Sequence, residues 1–399
     1  MASTILDASN PTLIKESSDV KIYESFDHLD LPENLLRGIY AHGFNKPSAI
    51  QSKGIKPMVD KRDTLAQAQS GTGKTGTFVI GSLSGVDPTI IKPQVMVLVH
   101  TRELADQIHK VFKSIGQFMK VKVLWAVGGN NLRDDIRALE EGVQVIVGCP
   151  GRVYDLASRG LIDRSNMRYL ILDEADQMLT DLFYKQVMCI LEKGFPATTQ
   201  VALFSATMPD TVLSVAEKIL KNPIRILIPP DAVKLDGIVQ FYVPIARIDY
   251  KVECLADLYK NLNIAQAVIF CNQRKTAEQL AEKMTQLGYP ITCLHGELDK
   301  KERQKRMSDF MSGDCRAMIA TDIIARGIDV QQLSLVINYE LPNNREDYVH
   351  RIGRAGRFGR KGTTINLLLP EEEPLMKDIV EHYKMVLQEL PERVDLISL

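Results

Sequence analysis

The chain has 399 residues, 45% of them hydrophobic and 25% charged, with a net charge of −1. That length exceeds one ordinary core and points to two domains, and no apolar run is long enough to span a membrane. Charge is balanced on both sides of Pro230, with 26 basic against 25 acidic residues up to it and 23 against 25 after it. Neither half is therefore a basic domain by composition, and any contact with a polyanion must be local and salt-sensitive.

Residues 1–22 are polar and mixed, lack the apolar segment of a secretory leader and are expected to be disordered. Beyond them, short β-branched runs alternate with helical patterns. Strands are predicted over 63–68, 94–100, 121–127, 143–149, 168–173, 200–207 and 224–228. The pattern pauses at Pro229-Pro230, leaving a linker over 231–240 that overlaps the next predicted strand. It restarts over 238–245, 265–271, 290–295, 316–321, 333–340 and 363–369. Continuous apolar runs suit parallel strands covered on both faces. Strands separated by helices imply right-handed βαβ units in open, doubly wound sheets. The expectation is two α/β domains, 23–230 and 241–399. Six cysteines, at 149, 189, 254, 271, 293 and 315, form no Cys-x-x-Cys pair. Reduced thiols are expected, with neither disulfides nor zinc.

Chemistry first surfaces after the first predicted strand, in Ala68, Gln69, Ser70, Gly71, Thr72, Gly73, Lys74 and Thr75. Glycines let backbone N–H groups turn toward phosphate oxygens at a helix N-terminus, Lys74 reaches the β- and γ-phosphates, and the Thr75 hydroxyl suits Mg²⁺. Ala68 stands where the strict pattern has glycine, so taken alone the stretch is also readable as a Gly/Ser loop opening a helix. A second element, Tyr169 to Asp173, is an apolar strand ending in a carboxylate 99 residues after Lys74. Asp173 is a candidate Mg²⁺ ligand, and Glu174 a candidate base for an attacking water. Without the phosphate loop, Asp173–Asp176 is equally an acidic helix start.

Asp173-Glu-Ala-Asp176 together with Ser205-Ala-Thr207 resembles the DEAD-box RNA helicase family, over roughly Phe26 to Leu399. The resemblance implies two RecA-like domains and RNA-dependent ATP hydrolysis. Gly43 to Gln51 resembles the family's adenine-reading motif, with Phe44 inside it and Phe26 as its isolated upstream aromatic. The Gln51 amide both donates and accepts, as adenine's edge requires. Thr101 and Arg102, Gly128 and Gly129, and Pro150, Gly151 and Arg152 are similar to RNA-contacting motifs of the first domain. In the second domain Asn272, Arg303, Thr321 and Asp322 take that part. Gly327 and Asp329 are implied near the nucleotide, and Arg354 and Arg357 as arginine fingers on its γ-phosphate. Ser205, Thr207, Asp176 and His350 are implied to couple hydrolysis to RNA.

Arg351, Arg354 and Arg357 recur every third residue, which places them near one face of a helix. ATP is implied to draw the domains together over single-stranded RNA, held by phosphates and 2′-hydroxyls without base readout. Ala66 to Phe78 and Gly327 to Gln332 resemble the initiation-factor-4A branch of the family. That branch implies cytoplasmic action on mRNA 5′ leaders, unwinding of short duplexes, and a monomer held by a scaffold of the initiation factor 4G type. A clamp in a nuclear splicing-linked or ribosome-biogenesis complex is the alternative. A small-molecule kinase or GTPase needs no second domain with distant arginines; a DNA helicase has a similar two-domain motor, but the acidic motif, the adenine motif and the 2′-hydroxyl contacts favour RNA.

Three positions depart from the family pattern. His100 replaces a proline, Cys149 a threonine and Lys300 a glutamine. A thiol donates weakly, so a phosphate contact at Cys149 should weaken, and Lys300 adds a cation.

Overall fold

A computed structural model describes residues 16–69, 71–179, 181–192, 194–227, 238–262, 266–322, 333–355 and 362–391. Ser70, Gly327, Asp329 and Arg357 lie outside them, as does most of the expected linker. The chain divides into two compact units, Met1–Pro229 and Pro230–Leu399.

The first unit carries β1 (Thr64–Gln67), β2 (Val95–Leu98), β3 (Val123–Ala126), β4 (Val145–Gly148), β5 (Tyr169–Asp173), β6 (Gln200–Ser205) and β7 (Ile224–Leu227). They form one sheet in the order β3-β4-β2-β5-β6-β1-β7. The second unit carries β8 (Ile238–Pro244), β9 (Ala267–Cys271), β10 (Ile291–Leu294), β11 (Ala317–Thr321), β12 (Leu335–Asn338), β13 (Gly362–Leu368) and β14 (Leu387–Glu389). Their order is β10-β11-β9-β12-β13-β8-β14. Each pairing within these two sheets is parallel.

The central strands are buried residue after residue, as their apolar runs require, because helices cover both faces. The ladders stop before the predicted ends. Val99, His100 and Val127 stay buried past their strands, so hydrophobic runs outlast the hydrogen-bonded segments. The short polar β14 gives no apolar pattern, and its pairing of Leu387 with Gln240 was not expected. Nor is the N-terminal stretch structureless from Glu16 onward. Ser17 exchanges two hydrogen bonds with Arg225, one through its backbone and one through its hydroxyl, and Glu16 pairs with Lys53.

Local capping sets where helices begin. Ser48 and Gln51 close a reciprocal capping box at the helix Ala49–Val59. Thr101 caps Arg102–Ile115, Asp299 caps Lys300–Ser312 and Asn344 caps Arg345–Ile352. In an open parallel sheet, ligands bind beyond the carboxyl ends of the strands. The first unit's motifs from the phosphate loop onward sit there: the phosphate loop after β1, Ser205 and Thr207 at β6, Asp173 and Glu174 at β5, His100 and Thr101 after β2, Pro150 after β4 and Gly128 after β3.

Candidate active site

Gly73 has φ +104° and ends the phosphate loop, and the helix Lys74–Leu83 follows with no side-chain cap. Its first-turn N–H groups are thus left for a ligand, where the helix dipole favours an anion. A Cβ at Gly73 would stand 2.6 Å from Ser48 Oγ, and one at Gly76 would stand 2.5 Å from Gln51 Nε2 and 2.9 Å from Phe44. Bare backbone here lets the adenine-motif residues pack onto the phosphate loop. Gln51 Nε2 donates to the Gly73 carbonyl at 3.3 Å, while Gln51 Oε1 accepts from Ser48 N at 2.9 Å. The amide keeps one N–H and one lone pair to offer a base. Phe44 lies edge-on to His42 at 4.7 Å. Phe26, in contrast, is fully buried, edge-on to Tyr40 at 6.3 Å.

Lys74 is 6% exposed, and its ammonium has no hydrogen-bond partner. A buried ammonium without a hydrogen-bond partner is costly unless a ligand completes it, and a triphosphate fits that need. Asp173 ends β5 in a fully buried position, where its Oδ1 accepts from Glu174 N at 2.9 Å. Burial pushes its carboxyl up to about 6, with the Lys74 ammonium opposing the rise and Glu174 and Asp176 adding to it. Such an acid gains from a metal cation. Among the described residues no cluster of three metal-ligating side chains occurs. A Mg²⁺ site built from one carboxylate, one hydroxyl and substrate phosphates needs none.

Glu174 adopts a left-handed conformation (φ 50°) as the first residue before a short helix, and its side chain is 5% exposed. His100 Nδ1 lies 3.7 Å from its Oε2. Thr207 Oγ1 donates to Asp176 Oδ2 at 2.6 Å, and Ser205 Oγ accepts from Asp176 N at 3.4 Å. The two motifs assigned to coupling thus meet across β5 and β6.

On the β2–β4 side, a Cβ at Gly128 would lie 3.6 Å from the Arg102 guanidinium, so two expected RNA contacts are neighbours. Thr101 is buried and uses its hydroxyl to cap its own helix through Leu104 N. Arg152 forms a buried ion pair with Asp135 and donates to the Asn130 carbonyl at 2.8 Å. That carbonyl directly follows Gly129, so Arg152 also holds the glycine turn. Gly151 is exposed at the start of its helix, and the N-cap residue Cys149 makes no side-chain capping hydrogen bond to that helix.

In the second unit one residue gathers the others. Arg351, 1% exposed, donates to both Asp322 oxygens at 2.6 and 2.7 Å. It also donates to Asn272 Oδ1 at 2.6 Å and to the Glu340 carbonyl at 2.6 Å. Asn272 in turn donates to Glu340 Oε2 and the Leu341 carbonyl. In sequence Arg351 has only a place in a spacing, yet it is the hub. Its signal was position: it directly follows His350 in the motif. The spacing also misleads, because the helix ends at Ile352 with Gly353 as its C-cap. Arg354 lies past that end, buried, with Nε donating to the His350 carbonyl at 3.0 Å, so Arg351 and Arg354 do not share one helix face, and Arg357 lies outside the described residues. Thr321 closes β11 beside Asp322, and Arg303 sits on the helix Lys300–Ser312.

These strand-end motifs define a helicase-type ATPase, and comparison with known proteins agrees. A DEAD/DEAH box helicase family model matches residues 48–215 and a helicase conserved C-terminal domain matches 250–359. The chain belongs to the DEAD-box helicase family. It is 48% identical to Eukaryotic initiation factor 4A of Caenorhabditis elegans, over 99% of this chain and 98% of that one. It is likewise 48% identical to ATP-dependent RNA helicase eIF4A of Chaetomium globosum, over 96% of each. Among solved structures, S. cerevisiae Dbp5 bound to RNA and ADP BeF3 superposes with a TM-score of 0.85 at 35% identity, covering 92% of this chain and 96% of that one.

Proposed function

We propose that this chain is an ATP-dependent RNA helicase of the initiation-factor-4A type, which hydrolyses ATP when bound to RNA and acts in the cytoplasm on mRNA 5′ leaders. The observation that carries the reading is the buried, unpartnered Lys74 ammonium beside the raised carboxyl of Asp173, at the C-terminal edge of a parallel sheet.

In this reading the loop backbone from Ala68 to Gly73 and Lys74 hold the phosphates, and Gln51 and Phe44 face the adenine. Thr75 and Asp173 would hold Mg²⁺, which supplies charge neutralisation on the phosphates. Glu174 takes a proton from the attacking water. Arg354 and Arg357 of the second unit stabilise the transition-state charge, and Asp329 and Gly327 lie near the ribose. Arg102, Gly128, Gly151, Asn272, Arg303 and Asp322 contact RNA phosphates and sugars, positioning the strand without reading it. Thr101, Arg152 and Arg351 support those contacts from behind. Asp176, Ser205, Thr207 and His350 transmit the loss of the γ-phosphate to the RNA surfaces. Support for the initiation branch comes from relatives that carry that name, and a scaffold of the initiation factor 4G type is the corresponding partner.

Phosphate release measured on matched single strands of RNA and DNA tests the reading. RNA should stimulate turnover and DNA should not; equal stimulation by both would overturn the RNA assignment.

A further inference from the structure

The site holds a side chain that the reaction described so far does not use. His100 follows β2, and Glu174 follows β5, its neighbour in the sheet. The register pairs Leu98 with Leu172, so two further steps bring His100 level with Glu174. Side-chain exposures are 4% and 5%, and Nδ1 stands 3.7 Å from Oε2. At that distance the two do not share a direct hydrogen bond, but catalytic contacts of this kind tighten when the substrate is loaded. Water is nearly excluded, so the imidazole and the carboxylate interact more strongly than on a surface.

The neighbouring residues on the same segment are Thr101, which caps the next helix, and Arg102, whose guanidinium lies beside Gly128. His100 is thus fixed to the part of the unit that faces RNA, while Glu174 belongs to the part that faces ATP. A proline, which stands here in the family pattern, offers no polar side-chain atom to Glu174.

We propose that His100 is a positioning residue for Glu174. Its Nδ1 holds the carboxylate in the orientation that accepts a proton from water, and ties that orientation to the segment carrying Arg102. This inference rests on the base role assigned to Glu174.

The test uses the full chain with His100→Leu, which fills the space without a polar atom, and His100→Asn, whose amide occupies the Nδ1 position. His100→Leu is expected to lower kcat at saturating RNA by about tenfold, as loss of a supporting partner does elsewhere. KM for ATP and the Kd for RNA should stay within about twofold, and His100→Asn should recover most of kcat. Added to Glu174→Gln, His100→Leu should have no further effect, because it acts through the missing carboxylate. Wild-type kcat in His100→Leu, a loss that His100→Asn does not repair, or a further loss on top of Glu174→Gln would each overturn this inference alone. Full turnover in Glu174→Gln would overturn the reading of Glu174 and the inference with it.

Discussion

Replacing Asp173 by Asn should make the nucleotide-free first unit more stable near pH 7 while abolishing ATP turnover. Burial raises the Asp173 carboxyl from its ordinary 3.8 to about 6, so the folded chain binds that proton more tightly than the unfolded chain. The group's favourable contribution is complete below pH 4 and is lost as pH rises through 6. Above that, the ionised acid costs about 3 kcal/mol, from roughly two pH units at 1.36 kcal/mol each. Asparagine mimics the protonated acid and keeps the Oδ1 acceptor used by Glu174 N. The single tryptophan, Trp125, lies on β3 of this unit, so its fluorescence follows the unit's unfolding in urea. Because His109 stacks on Trp125 at 6.4 Å, transition midpoints are compared rather than intensities. Wild type should gain on the variant as pH falls from 7.5 to 5, and the variant should lead at pH 7.5. Parallel midpoints across that range would rule out a burial-raised Asp173 carboxyl.

Arg351→Lys should destabilise the second unit by about 3 kcal/mol, since one ammonium cannot replace the fork that joins Asp322 and Asn272; hydrogen exchange over β9 and β11 reads the loss. Thr207→Val keeps the shape but removes the donor to Asp176, and should reduce strand separation per phosphate released by about fivefold; equal ratios in a coupled unwinding and phosphate assay would remove Thr207 from coupling. Cys149→Thr supplies an N-cap oxygen where the thiol caps nothing, adding about 1 kcal/mol to the first unit. It should also tighten RNA binding, and equal salt-titrated affinities for the two proteins would contradict that second effect.

The sheet order was not legible as such, but its strands were, because parallel strands buried on both faces leave uninterrupted apolar runs. Among the described strands only β14 escaped, a polar edge strand whose stability comes from pairing with β8 rather than from its own composition. The phosphate loop and the acidic motif stand out in sequence, and the structure sets them at the carboxyl ends of β1 and β5. The roles of Thr101 and Arg152 could not, since a capping hydroxyl and a buried ion pair look the same in sequence as ligand contacts. Arg351 was hidden for the opposite reason: a buried hub and a solvated arginine are one letter. The helix assumed for Arg351, Arg354 and Arg357 ignored Gly353, which ends it.

Turnover is expected to depend equally on Lys74 of the first unit and Arg354 of the second, 280 residues apart in sequence. RNA-saturated phosphate release should therefore be compared for wild type, Lys74→Ala and Arg354→Gln. Both variants should fall by at least about 1,000-fold, the low end of what an arginine finger supplies. A folded Arg354→Gln that turns over at the wild-type rate would contradict the account.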